Sequence, residues 1–243
     1  MSGSRTPQPD IVLVGVDVGD QEVVRAPLGH GEDPVVVLGV QGWLLVETLE
    51  VSSDSGEQHV LTLRFRVEPG TAGRATPPAP VRRDLDLAVG PGEVAEPYQR
   101  VAAYAVVTSG RGLLMTEFSD LTNAPGQWGL PGGGLDPHEA PADTVRREVW
   151  EETGQQVDLT GLAGVQTSHW VGRAPNGRLE DFHAVRIVYR AHCPEPSDPV
   201  VHDQGGTTAS AAWVDADAVA DLPLTGGWRG LLTELGVTPG PAS

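Results

Sequence analysis

The chain has 243 residues, 39% of them hydrophobic, and a formal net charge of −17. This length suits one large domain or two small ones with a real core. The acidity disfavours a nucleic-acid polymer, whose binding depends on neutralising phosphates with Lys and Arg, but leaves room for a small phosphorylated ligand screened by a divalent cation.

The opening "MSGSRTPQPD" has no apolar core of signal-peptide length, and no apolar run approaches a membrane span. The expectation is a cytoplasmic protein that meets no membrane. Its one cysteine, Cys193, excludes an intrachain disulfide and lacks a partner motif.

In chain order, "DIVLVGVDV", "DPVVVLGV", "GWLLVETLEV" and "HVLTLRFRVEP" read as short Val- and Leu-rich strands separated by turn residues. Roughly residues 8–68 are therefore expected to form a small all-β N-terminal domain of several antiparallel strands. Residues 69–97, rich in Pro, Gly and Ala, read as a linker, although "RRDLDLAV" suits one more strand.

From about Tyr98 the pattern changes. "VAAYAVVTS" and "GLLMTEF" read as a hairpin, "VQTSHWV" and "AVRIVYRAHC" as two further strands. "ASAAWVDADAVADL" reads as a strand turning into a short helix with Asp215 as N-cap. "WRGLLTELGV" reads as a final amphipathic helix that Gly236 stops. Strands mixed with a few helices suggest a mixed sheet with helices packed on it.

The most informative stretch is "LPGGGLDPHEAPADTVRREVWEETG", Leu130–Gly154. Pro141 suits a first helical turn and Gly154 a C-terminal stop. At about 100° per residue, Ala142, Val145 and Val149 make one apolar stripe, and Glu148, Glu151 and Glu152 fall just beside it. Like charges three and four apart destabilise a helix by roughly 0.2–0.5 kcal/mol per pair, and more where water is scarce. A hard cation such as Mg²⁺ or Mn²⁺ would offset this, because it prefers carboxylate oxygens. The turn Gly132-Gly133-Gly134 lets the backbone approach a ligand and offer carbonyls to a metal or N–H groups to a phosphate. A solvated acidic helix after a glycine turn is the plainer alternative for the helix alone.

From Gly133 the chain reads Gly, five residues, Glu139, seven residues, Arg147-Glu148-Val149, one residue, Glu151-Glu152, one residue, Gly154. This resembles the Nudix box of the Nudix hydrolases, and "WGLPGG" is similar to its usual lead-in. One position departs: an aliphatic residue normally follows the last Gly, and here Gln155 stands there, with Val157 two residues on.

The resemblance implies a Nudix fold over residues 98–237, an α/β/α sandwich around a mixed sheet; the whole chain is then α+β. It implies hydrolysis of a nucleoside diphosphate linked to another group, a small nucleotide-type substrate, and Mg²⁺ or Mn²⁺ as cofactor. It implies that Glu148, Glu151 and Glu152 hold the metal and carry the catalysis, helped by a backbone carbonyl, that of Gly132. Glu139 would pair with Arg147 and, with Gly133 and Gly154, support the motif.

Members of the family often take an extra acid from a later loop. Glu180 and Asp181 in "GRLEDFH" and Asp203 in "VHDQGG" are the candidates, and "TTASAAW" holds no acid. His169-Trp170 and Phe182-His183 suit stacking on a base or reaching a phosphate, with core packing as the plainer use. Trp43, Trp128, Trp150, Trp213 and Trp228 read as packing, and Arg173 and Arg178 as solvated turn residues. Two alternatives to a hydrolase stay open: a non-catalytic Nudix-fold nucleotide-binding or sensor protein, and an isomerase of the same fold. The substrate-binding residues, the substrate itself and whether the chain forms a homodimer are not legible.

Overall fold

The structure, a computed structural model, describes residues 7–70, 81–84, 86–174, 176–203 and 205–237. Thr71–Pro80, the middle of the expected linker, lies outside the described residues, as do Leu85 and Pro175.

The elements in order are β1 (Asp10–Val16), β2 (Glu22–Pro27), α1 (Pro34–Val40), β3 (Trp43–Ser55), β4 (His59–Pro69) and β5 (Arg82–Arg83). Next come β6 (Glu96–Ser109), β7 (Gly112–Phe118), β8 (Trp128–Gly129), β9 (Gly132–Gly134) and α2 (Pro141–Thr153). The chain continues with β10 (Asp158–Arg173), β11 (Leu179–His192) and β12 (Thr208–Val214), then a 3-10 helix over Ala216–Asp221 and α3 (Gly226–Glu234).

The first four strands form a sheet in the order β2-β1-β4-β3. β1 pairs with β2 antiparallel and with β4 parallel, Leu13 facing Leu63 in register. Along β4 the inward residues Leu61, Leu63, Phe65 and Val67 are buried and their neighbours are not, which is the period of two that a one-sided sheet imposes. The expected all-β make-up of this region needs a correction: "DPVVVLGV" is not a strand. Pro34–Val40 is helix α1, with Asp33 accepting from the Val35 N–H and Pro34 in the first turn. A cap and a first-turn proline outweighed the β preference of three consecutive valines.

A second sheet runs β12-β7-β6-β11-β10-β5, with β8 on β7 and β9 on β6. It is mixed: β12 and β6 pair with β7 antiparallel, and β5 pairs with β10 parallel. The last pairing makes "RR" of "RRDLDLAV" a strand, as its sequence allowed.

The chain divides into two compact units that interleave along the sequence. One gathers 1–102, 134–141 and 164–187; the other gathers 103–133, 142–163 and 188–243. The second unit buries Val106, Met115, Leu130, Val188, Leu231 and Leu232, with Trp228 set edge-on to Tyr104, ring centroids 4.6 Å apart. Asp215 precedes the 3-10 helix but makes no side-chain cap bond. Gly236 follows α3 at φ +70°, the left-handed stop expected of it. In the first unit, Arg173 is not a solvated turn residue. Its Nη1 and Nη2 clasp Glu93 at 2.8 Å each, it donates to the Ala88 and Gly177 carbonyls, and the guanidinium holds the Glu93 carboxyl down at about 2. Arg178 lies 3.7 Å from Glu96. Among the described residues no helix is long and apolar enough to cross a membrane.

Candidate active site

Helix α2 is built as its sequence demands. Val145 and Val149 are fully buried and anchor one face, while Gly154 at φ +68° ends the helix. That anchoring sets where the acids go. Glu152, one turn past Val149 and Glu148, is 6% exposed; the side chains of Glu148 and Glu151 keep 16% and 34% of their surface.

Glu152 Oε2 accepts from the Gly132 N–H at 2.9 Å, and Oε1 accepts from the Thr208 hydroxyl. Burial pushes its carboxyl up from 4.5 to about 7; these two donors oppose the rise, and the charges of Glu148 and Asp203 add to it.

Two glycines let the turn come this close. Gly132 has φ +142°, and a Cβ there would meet the Ala103 carbonyl oxygen at 2.3 Å. A Cβ on Gly133 would lie 2.4 Å from Glu148 Oε1, so any side chain at 133 displaces that carboxylate. Arg147 spans two acids, its Nη1 at 2.9 Å from Glu148 Oε1 and 3.1 Å from Glu151 Oε2. In the other unit, Glu139 Oε2 accepts from the Asp136 N–H at 3.1 Å.

The three candidate later acids fare differently. Asp203 belongs to the same unit as the helix: the N–H groups of His202 and Asp203 both donate to the Glu151 carbonyl, at 2.7 and 3.1 Å. This binds an orphan carbonyl at the C-terminus of α2 and brings the Asp203 charge to bear on Glu152. Glu180 and Asp181 are not loop residues. Both lie on β11, Glu180 buried and Asp181 against His169, in the other unit.

A family model described as "NUDIX domain" matches residues 98–235, more than half of the chain. The chain belongs to the NUDIX family.

The chain is similar to the nucleoside triphosphatase NudI of Klebsiella pneumoniae strain 342, 28% identical over 134 residues, which cover 54% of this chain and 92% of that one. It is also similar to the putative 8-oxo-dGTP diphosphatase 3 of Mycobacterium tuberculosis H37Rv, 35% identical over 119 residues. That match spans 47% of this chain and about half, 51%, of the relative. Among solved structures, the MutT protein from Methanosarcina mazei Go1 aligns with 59% of this chain and 96% of its own at 21% identity and a TM-score of 0.46.

With these relatives the chain stands as a Nudix hydrolase with a mixed α+β fold. Its departure from the Nudix box is absorbed locally. Gln155 is 2% exposed, donates to the Thr153 carbonyl and to Ser197 Oγ at 3.1 and 3.0 Å, and accepts from the Ser197 N–H at 3.0 Å. A buried amide with its bonds made stands where an aliphatic residue usually packs. The Cys193 thiol, also buried, approaches Gln155 Oε1 at 3.8 Å, and burial pushes its pKa up. Sequence reading missed Thr208, which sits in a run noted only for lacking acids. Trp150 is 47% exposed and packs by stacking on His202, with centroids 4.5 Å apart.

Proposed function

We propose that this Nudix hydrolase cleaves a phosphoanhydride bond in a nucleoside diphosphate linked to another group, using Mg²⁺ or Mn²⁺. The observation that carries the reading is Glu152: a buried carboxylate held at about 7, with two other glutamates beside it and a glycine turn pressed against them. The Arg147 guanidinium bridges Glu148 and Glu151, and Glu152 accepts from two neutral donors, the Gly132 N–H and the Thr208 hydroxyl. Three carboxylates this close, beside a backbone turn, fit a hard divalent cation.

Glu148, Glu151 and Glu152 would hold the ion, with the Gly132 carbonyl. Bound there, a divalent ion neutralises diphosphate charge and lowers the pKa of a water. Arg147 keeps Glu148 and Glu151 aligned, and Gly133 leaves room for the Glu148 carboxylate. Glu139 and Gly154 complete the support of the motif. Asp203 is the later acid we assign to proton transfer, because its charge bears on Glu152, whereas Glu180 and Asp181 belong to the other unit.

The relatives' names, nucleoside triphosphatase and 8-oxo-dGTP diphosphatase, favour nucleoside triphosphates as the first substrates to try. The proposal includes a cytoplasmic setting, and a domain plan of a β-rich part over 8–68, a linker over 69–97 and the catalytic domain over 98–237. The test is product analysis across a panel of nucleoside triphosphates, ADP-ribose and nucleotide sugars with Mg²⁺ or Mn²⁺. Turnover that survives Glu152→Gln removes these carboxylates from the mechanism. Tight nucleotide binding without turnover by the natural chain establishes the sensor reading instead.

A further inference from the structure

A second group of ligating side chains lies wholly in the first compact unit and has no part in the box. One ligating atom from each of His30, His169 and Asp181 lies within 4.8 Å of the other two. Both imidazoles converge on one carboxylate oxygen: His30 Nε2 is 3.4 Å from Asp181 Oδ1, and His169 Nε2 is hydrogen-bonded to the same atom.

The chain supplies these residues from three separate segments and fixes each. His169 and Asp181 sit on neighbouring strands β10 and β11. His30 comes from the loop between β2 and α1, held by the Gly29 N–H bond to Glu32 Oε2 at 2.7 Å and by the Asp33 carboxylate, which accepts from Thr167 Oγ1 on β10. Gly31, at φ +76°, lets this loop descend onto His169; a Cβ there would lie 2.7 Å from the ring. The loop is thus built to press His30 towards the strand pair.

A third imidazole supplies an independent observation. His183 is fully buried, with its ring centroid 5.6 Å from that of His30 and 6.1 Å from that of His169. Its Nδ1 is bonded to Gln99 Oε1 at 2.8 Å, and its Nε2 has no hydrogen-bond partner. In the tautomer that donates from Nδ1 to Gln99, Nε2 is an acceptor buried beside two imidazoles and near the Glu32 backbone. A buried polar atom left unpaired is costly, and a water completing a metal's coordination would supply the missing donor.

We propose that His30 Nε2, His169 Nε2 and Asp181 Oδ1 form a zinc site, closed by a water that donates to His183 Nε2. Tetrahedral ligands at ~2.0–2.1 Å from zinc lie about 3.3 Å apart, close to the His30–Asp181 separation of 3.4 Å. The two imidazoles are borderline donors that favour zinc over Mg²⁺, and a carboxylate oxygen is an ordinary third ligand to zinc. Zinc takes the place of the hydrogen bond between His169 and Asp181, whose atoms move apart to admit it, and it ties the β2–α1 loop to the β10–β11 pair.

The experiment uses the full chain carrying Glu148→Gln and Glu152→Gln, so that the box acids do not compete. Zn²⁺ is titrated against a chromophoric chelator, with Co²⁺ absorption as the spectroscopic readout and circular dichroism as the check on folding. We expect one Zn²⁺ per chain and visible Co²⁺ bands of a low-coordinate nitrogen–oxygen site. Adding His30→Ala, on an exposed loop, or Asp181→Asn should each weaken binding at least tenfold while the circular dichroism is unchanged. A parent that binds no Zn²⁺, or affinity unchanged in either variant, overturns the site.

Discussion

The box acids and the imidazole cluster are two answers to gathering ligating groups in a folded chain. The box puts three carboxylates on two turns of one helix, and their mutual repulsion is restrained by the raised pKa of the buried Glu152 and by the bridging Arg147. The other cluster draws imidazoles from residues 30, 169 and 183 around the single carboxylate of Asp181. Burial raises the Glu152 carboxyl to about 7 and lowers the His183 imidazole to about 4, so pH works on these two groups in opposite directions. On the two proposals above, a hard cation would relieve the repulsion in the first and a borderline cation would suit the second.

The sharpest way to break this contrast is to neutralise one acid in the box. Glu152→Gln keeps the side-chain shape and removes the charge. We expect kcat with Mg²⁺ to fall by about 10³-fold or more, in line with the loss of a preorganised charge at a phosphoryl centre, while circular dichroism stays unchanged. Asp203→Asn should cost less, about 10²-fold in kcat, if its task is proton transfer. A loss as large as that of Glu152→Gln would make Asp203 a ligand. Equal activity would exclude it from the site.

Stability against pH sharpens the comparison in the metal-free protein. Glu152 has its folded pKa raised from 4.5 to about 7. The unfolded chain therefore ionises first, and stability present below about 4.5 is lost as pH rises through 7. A shift of this size corresponds to at most about 3 kcal/mol. His183 has its folded pKa lowered from 6.5 to about 4, chiefly by burial and then by the His30 and His169 charges. Its contribution is complete above 6.5 and is lost as pH falls towards 4. Thermal melts in chelator should show Glu152→Gln erasing part of the loss between pH 5 and pH 8. His183→Gln should act only on the acid side. A melt profile unchanged by Glu152→Gln would mean that this carboxyl ionises normally.

The contrast also explains what could be read from the chain beforehand. The box is contiguous, so helix period, Pro141 and Gly154 were enough to place its acids on one face. The imidazole cluster is scattered over more than 150 positions, and no local spacing announces that His30 meets Asp181. Thr208 is likewise 56 positions from Glu152. Helix α1 was misread for another reason. Its valines outvoted the Asp33-Pro34 start signal, although that signal was local and complete. The interleaving of the two compact units was not legible either, because β6, β10 and β11 each contribute residues to both.

Thr208→Val carries the smallest expected effect and probes the box most finely. Valine matches threonine in shape, so the exchange removes the hydroxyl that donates to Glu152 Oε1 and little else. Hydrogen bonds to a charged acceptor are worth about 1.5–3 kcal/mol, and neutral ones about 0.5–1.5. At pH 8 the bond reaches an ionised carboxylate; at pH 5 it reaches a protonated one. The loss of metal-free stability should therefore be larger at pH 8 than at pH 5 by about 1 kcal/mol. Without the donor, Glu152 should ionise above 7, because that hydroxyl now opposes the effect of burial. Equal losses at the two pH values would show that the hydroxyl does not distinguish the two charge states, and Thr208 would then count as packing alone.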